Sequence, residues 1–344
     1  MSNWIEIKDN PRLKKIYETR LQILRLIREF FWSENFVEAE TPIALRLPGQ
    51  EPYLNPMPVE FLDPRLDSHR FYLRTSPEYA LKKLLATGYE KIFEIGKCFR
   101  NEESFGGTHN PEFTMIEWYR APGTYIDFMD DTEKLFKYVG KKLSINKLGY
   151  KDFEIDLDNT WERISVKDLW KNYLNVNLDD YLQVEPMRKL ATDLGYQVSD
   201  SDEYEDLFYK IFLNKIEIQL GKDAPTFVYD YPAQMCSLSK KCQHDPRYAQ
   251  RAELYIGGLE IANGFGELVD AALQRENLQK DRILRARLNR PTWEVDPGFI
   301  AALESGIKPA GGIALGVDRM VLLFTGARDI NEVIFQSAAD QLSN

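Results

Sequence analysis

Arginine and glutamate carry most of the chemistry that can be read from this chain, and three stretches concentrate them. The first, 99–119, reads FRNEESFGGTHNPEFTMIEWY and holds Arg100, Asn101, Glu102, Glu103, Asn110, Glu112, Phe113, Glu117 and Tyr119. The second, 252–268, reads AELYIGGLEIANGFGEL and interleaves Glu253, Glu260, Asn263 and Glu267 with apolar residues. The third, GGIALGVDR, ends on Arg319 and runs into MVLLF. An arginine on a half-buried strand face wants an anion, and two convergent carboxylates are what magnesium takes alongside phosphate oxygens and water. Arg100 can therefore neutralise an α-phosphate, Glu253 and Glu260 can hold magnesium, and Phe113 with Arg319 can sandwich an adenine. Catalysis in such a site is mainly stabilisation of charge on phosphorus. Taken singly, each stretch also fits a plainer reading: a hairpin with an ordinary salt bridge, or glutamates facing solvent at strand edges.

The elements that must position these residues follow from patterning. Residues 92–95 and 113–118 are apolar on either side of Gly106-Gly107, which predicts two antiparallel strands joined by a long loop. Glu253 and Glu260 are seven apart, so a continuous strand would send them to opposite faces, and Gly257-Gly258 is expected to supply a turn or bulge that changes the parity. Apolar spacings of three and four predict an amphipathic helix over 11–34, ended by Asn35 and followed by an edge strand at 36–43. That helix and strand suit either a dimer interface or a cover for a sheet. Segment 48–68, rich in Pro, Asp and Asn, reads as a surface excursion. Ser76 is expected to cap a helix over 78–86, with Pro77 at its first position and Glu78 in its first turn. Further helices are expected over 125–143, 276–288 and 296–303. The segment 144–231 shows no chemical motif and reads as a mainly helical insertion.

Composition narrows the class. The chain of 344 residues is 44% hydrophobic and 28% charged, the balance of a soluble globular protein. A formal charge of −10 argues against the broad cationic surface that phosphate-backbone binding uses. No signal-peptide core and no long uncharged apolar run is present, so a cytoplasmic protein without membrane contact is expected. Cys98, Cys236 and Cys242 suit a reducing compartment. Cys236, Cys242 and His244 lie near one another, but their spacing matches no usual zinc pattern and a fourth ligand is missing, which favours free thiols.

The motifs now combine into a resemblance. FRNEE…HNPEFTMIEWY is similar to motif 2 of class II lysyl-tRNA synthetases, ALGVDR with its helix resembles motif 3, and the helix leading to Thr41-Pro42 resembles motif 1. The implied fold is α+β, an antiparallel class II synthetase-like sheet flanked by helices, as a single catalytic domain over 1–344. Motif 1 begins almost at residue 1, so no anticodon-binding domain is expected. With TSPEYALKKLL and EWYRAP, this arrangement resembles the elongation factor P lysine ligase family, the elongation factor P–(R)-β-lysine ligases.

That resemblance implies ATP-dependent activation of lysine or β-lysine, with Mg2+, and transfer to a lysine side chain of elongation factor P by a homodimer. Arg100 and Arg319 would be catalytic. Asn101, Glu102, Asn110, Phe113, Glu260, Ile261 and Gly316 would complete the ATP site, with Glu253 and Glu260 on the metal. Ser76, Pro77, Glu78, Tyr119, Asn263, Glu267 and Ala314 would bind the amino acid: Glu78 the nearer amine, Tyr119 with Glu267 the distal ammonium. Ala314 replaces a glycine of lysyl-tRNA synthetases, and its methyl suggests β-lysine. The Gly106-Gly107 loop is one residue longer than usual in the ligases, Thr108 replaces a bulkier residue, and Gly266 stands where they commonly have histidine. A minimal lysyl-tRNA synthetase is the nearer alternative, although tRNA is the less expected acceptor, and a non-catalytic amino-acid sensor is a more distant one.

Overall fold

The computed structural model describes residues 3–342. It opens with α1 (Asn3–Asp9) and α2 (Pro11–Ser33). Asn10 caps α2 by accepting from the Arg12 and Leu13 amides, Pro11 starts it, and Asn35 ends it in the left-handed region at φ 63°. Strand β1 (Val37–Glu38) follows, then β2 (Ala44–Leu45), β3 (Pro58–Leu62) and β4 (Ser68–Leu73), which form a small sheet in the order β2-β4-β3. After α3 (Glu78–Ala86), β5 (Lys91–Phe99) and β6 (Glu112–Arg120) make the expected antiparallel hairpin, and α4 (Tyr125–Leu143) follows.

Next come the hairpin β7 (Lys147–Tyr150) and β8 (Phe153–Asp156), then β9 (Glu162–Ser165), α5 (Val166–Leu174), α6 (Val184–Asp193), α7 (Tyr204–Lys215) and β10 (Thr226–Pro232). The chain closes through β11 (Tyr248–Ile256), β12 (Leu259–Gly266), α8 (Ala271–Arg287), α9 (Pro297–Glu304), β13 (Gly311–Gly316), α10 (Val317–Thr325) and α11 (Ala338–Leu342).

The main sheet has eight strands in the order β1-β5-β6-β13-β12-β11-β10-β9. Its six central strands are antiparallel, and only the edge pairs β1–β5 and β9–β10 are parallel. This is an α+β class II synthetase-like sheet flanked by helices. Alternation along the strands separates two faces. Ile116, Trp118, Ile313, Leu315, Ala252 and Leu254 pack into one core with α2, α4 and α10, leaving Glu117, Tyr119, Ala314, Asn263 and Glu253 on the opposite face. Among the described residues no helix is long and apolar enough to cross a membrane.

Two expectations need correction. Segment 48–68 is not wholly a surface excursion: Gln50 is 1% exposed, and buried Arg285 of α8 donates to the Glu51 and Leu54 carbonyls at 2.6 and 2.8 Å. A distant guanidinium satisfies the polar loop backbone, so residues around 50 can be buried despite their composition. Segment 144–231, expected as a mainly helical insertion, also contributes β9 and β10 to the main sheet. β10 is buried on nearly every residue, so it lacks the period of two that marks a half-exposed strand.

Helix α2 is tied to the sheet by one buried polar cluster. Arg20 reaches Asp318 at 2.5 Å and donates to Thr114 Oγ1 at 2.9 Å, while Asp318 accepts from the Thr114 amide at 2.8 Å. Arg20→Ala would strand a buried carboxylate, and a loss of about 3–5 kcal/mol is expected. Chemical denaturation measures it, and a loss below about 1 kcal/mol would mean that the cluster does not hold α2.

Candidate active site

The polar face of the sheet is the floor of a cavity of about 560 Å³. Cross-strand register builds the floor: Glu117 pairs with Ala314, Ala314 with Asn263, and Asn263 with Glu253. On its cavity face the strand β13 between them carries the small residues Gly312, Ala314 and Gly316, for a steric reason. A Cβ on Gly312 would lie 2.2 Å from the Tyr119 ring and 2.6 Å from Glu267 Oε1.

At one end lies an acidic nest. The Ser76 hydroxyl accepts from the Glu78 amide at 3.0 Å and donates to Glu117 at 2.7 Å, while Tyr119 donates its hydroxyl proton to Glu117. Pro77, not Ser76, occupies the N-cap position of α3, and it is buried behind the cavity wall. Glu267 also lies behind the wall, 2% exposed, under Gly312 and Tyr119. Buried Lys82 bridges Glu78 and Glu267 at 2.5 Å each. Two carboxylates thus pair with one ammonium, and the third, Glu117, is held by the Ser76 and Tyr119 hydroxyls beside them. Burial, reinforced by Glu78, pushes Glu117 up to about 7, and burial pushes Glu267 up to about 8 against the pull of Lys82. A second ammonium would relieve this imbalance.

The other end brings together Arg100, Arg319, Glu253 and Glu260. Arg100 stacks over Phe113 at 5.1 Å, and its buried Nε has no hydrogen-bond partner. Such an orphan donor in a cavity wall points to a missing acceptor. Arg319 donates to the Glu260 carbonyl at 2.6 Å and lies 2.9 Å from His109 Nε2. Burial and Arg319 push His109 below its ordinary value, which leaves a neutral imidazole free to accept. Arg319 is therefore held by the β5–β6 loop and the Glu260 carbonyl, and Phe113 is covered by Arg100.

The turn at Gly257-Gly258 and a register shift after Leu254 bring Glu253 and Glu260 to the same cavity. They are not equivalent. Glu253 already accepts from Tyr231, Tyr255, Arg251 and Asn263, whereas the Glu260 carboxylate is raised by burial and by Glu253. The donor set fits a hard divalent cation, with Glu260 ready and Glu253 able to ligate by giving up a donor.

Of the other expected residues, Asn110, Ile261, Asn263, Ala314 and Gly316 line the cavity. Asn110 braces the loop by donating to the Glu112 carbonyl at 2.6 Å and accepting from the Ala338 amide at 3.0 Å. Asn101 and Glu102 do not line it: Glu102 turns left-handed at φ 66° and its side chain is bound by Asn55. Glu103 lines the cavity in their place. Alternation along the strand places Glu117 with Tyr119 in a polar pocket on the sheet, and both line the cavity, although the sequence assigned Glu117 no ligand. Local pattern carries no signal for Glu217 beside Glu253 and Glu260 or for the acids Glu51, Glu205 and Asp281 along the wall, whereas Lys82 stands at the i,i+4 ion-pair spacing from Glu78 and only its contact with Glu267 is long-range.

The raised carboxylates give a proton-linked expectation. An acid whose folded value lies above its ordinary 4.5 costs stability as it ionises, so stability falls as pH rises from 4.5 to about 8. A lysine-type ligand needs these groups ionised and should displace their protons. Calorimetry near about pH 6.5 in buffers of different ionisation enthalpy is expected to show release on the order of one proton per ligand, reduced in Glu117→Gln. Buffer-independent heats would contradict it.

Comparison with known proteins agrees with this geometry. Residues 2–338 match the family tRNA synthetases class II (D, K and N). The chain is 36% identical over 337 residues to a lysine–tRNA ligase of Pelotomaculum thermopropionicum, covering 96% of this chain and 65% of that protein. Lysine–tRNA ligases of Mycoplasmoides gallisepticum and Thermoanaerobacter pseudethanolicus are each 35% identical, covering 96% and 94% of this chain and 66% and 64% of theirs. The chain spans just under two thirds of the length of these relatives. It belongs to the class II tRNA synthetase family of the D, K and N type.

Proposed function

We propose that the protein activates lysine or β-lysine with ATP and Mg2+ as an aminoacyl-adenylate and transfers it to a lysine side chain of elongation factor P. The observation that carries the amino-acid part is the buried nest of Glu78, Glu117 and Glu267 around a single Lys82, opposite an arginine with an unpaired donor. A substrate carboxylate, ionised at neutral pH, attacks the α-phosphorus and expels pyrophosphate while Arg100 offsets the charge gathering there. Magnesium, held at Glu260 and Glu253, supplies charge neutralisation on the phosphates when bound.

The acceptor half rests on the TSPEYALKKLL and EWYRAP stretches, on Ala314, and on the acids of the wall. Burial pushes Glu51 and Glu205 up to about 7 and Asp281 up to about 6. Carboxylates near neutrality suit an incoming ammonium and can take its proton before it attacks the mixed anhydride. A negative wall disfavours a phosphate backbone. The homodimer and cytoplasmic location belong to the same reading. Leu21, Trp32, Val37 and Ile43, on or beside α2 and β1, are exposed apolar residues that a second copy could cover.

The relatives' names favour a second reading, charging of tRNA with lysine. Pyrophosphate exchange with each isomer, then mass measurement of co-incubated elongation factor P and charging of bulk tRNA, separates the two. Exchange with at least one isomer and a mass gain on the factor are expected. No exchange would overturn the adenylation reading, and tRNA charging without a mass gain would overturn the acceptor.

Ala314 lies between Glu117 and Asn263 on the pocket floor, so its methyl sets how deep the substrate backbone sits. Ala314→Gly is expected to shift the exchange ratio towards α-lysine by roughly tenfold, the worth of one or two methyl-sized contacts. An unchanged ratio would remove this residue from isomer choice.

A further inference from the structure

Strand β10 breaks its ladder at Asp230. The register to β11 shifts between Tyr229 and Tyr231, and Asp230 adopts the left-handed region at φ 59°. A bulged residue re-aims its side chain. Tyr231 bonds Glu253 at the cavity, whereas the Asp230 carboxylate meets the loop leading into β11. Its Oδ1 lies 3.1 Å from Cys242 Sγ and its Oδ2 lies 3.1 Å from His244 Nε2. The three donor atoms lie within 4.8 Å of one another, the one such group of three among the described residues.

We propose that Asp230, Cys242 and His244 bind a zinc-type divalent transition-metal ion that staples the loop between β10 and β11 to the sheet. The donor set selects the class of ion. Thiolate, imidazole and carboxylate together are what zinc takes in tetrahedral sites, whereas magnesium and calcium take oxygen. Ligands at about 2.0–2.3 Å from a tetrahedral ion stand about 3.3–3.6 Å apart, a spacing that side-chain adjustment reaches from two carboxylate contacts of 3.1 Å and three donor atoms that all lie within 4.8 Å of one another. Asp230 and Cys242 are buried while the His244 side chain is 67% exposed, which gives an entry path and room for a water as fourth ligand. On loading, the thiol proton passes to solvent, and thiolate plus carboxylate balance the ion's two charges.

The staple would act on the pocket through the backbone. The Lys240 amide donates to the Gly266 carbonyl at 2.8 Å, the Leu268 amide donates to the Leu238 carbonyl at 3.1 Å, and the Ser239 and Glu267 backbones form an antiparallel bridge. Fixing this loop fixes the strand end that carries Glu267. The site is separate from the ATP end and does not depend on the acceptor.

The test uses the full chain, stripped with a chelator and titrated with Co2+. One equivalent is expected to give a near-ultraviolet thiolate-to-cobalt band that zinc abolishes. The band is expected to disappear in Cys242→Ser and His244→Ala and to persist in Cys236→Ser. Exposed His244 can be replaced without disturbing the core, so loss of the band in that variant is not a folding defect. Zinc is also expected to raise the melting temperature of the parent by several degrees and leave His244→Ala unmoved. Absence of the band, or its persistence in His244→Ala, would overturn the site.

Discussion

The structure depends on one cross-strand register. With Ala314 opposite both Glu117 and Asn263, and Asn263 opposite Glu253, residues from four strands face one side of the sheet in a row. A slip of one residue on any of these strands would exchange its polar face for its core face, and Trp118, Ile313 or Leu254 would enter the cavity. The pairing is therefore held by the hydrophobic core on the reverse side. The Arg20–Asp318–Thr114 cluster adds a polar lock between α2, β6 and α10. It joins the three motif-bearing segments under the site.

On that frame the cavity is electrostatically unfinished in two opposite senses. At one end carboxylates outnumber the available ammonium, and burial raises their affinity for protons; at the other Arg100 keeps a buried donor without an acceptor. Both conditions cost free energy, and one ligand carrying an ammonium and a carboxylate or phosphate would answer both. Preorganisation of this kind favours binding because the groups are ordered before the ligand arrives. Glu253 is the counter-example. Its four donors hold it in place, so its part in metal binding is conditional on giving one of them up, whereas Glu260 needs no such exchange.

Much of this was legible beforehand where local pattern and tertiary role coincide. The β5–β6 hairpin, the Gly257-Gly258 turn with its change of parity, the α4 helix and the α9 helix, where Asp296 accepts from the Gly298 and Phe299 amides, all follow from short-range rules about alternation, glycine and capping. Glu102 and Glu103 could not be told apart in this way, because the choice is made by a left-handed turn held through Asn55. Residues 51–54 read as exposed from composition and are cavity wall, because Arg285, more than two hundred residues away, satisfies the Glu51 and Leu54 carbonyls.

By itself the sequence determined the chemical vocabulary: the two arginines, the paired glutamates, the small-residue strand and the alternation that turns them to one side. These are properties of neighbours along the chain, set by strand pleat, turn geometry and sterics. Only the tertiary structure decided which charges meet. The reach of Lys82 beyond its helix neighbour Glu78 to Glu267, the Tyr231 hydroxyl on Glu253, and Asp230 beside Cys242 and His244 are long-range pairings or depend on a bulge. Their physical basis is desolvation. Burial makes each charge seek a partner wherever the packed sheet brings one within reach, and spacing along the chain does not record that distance.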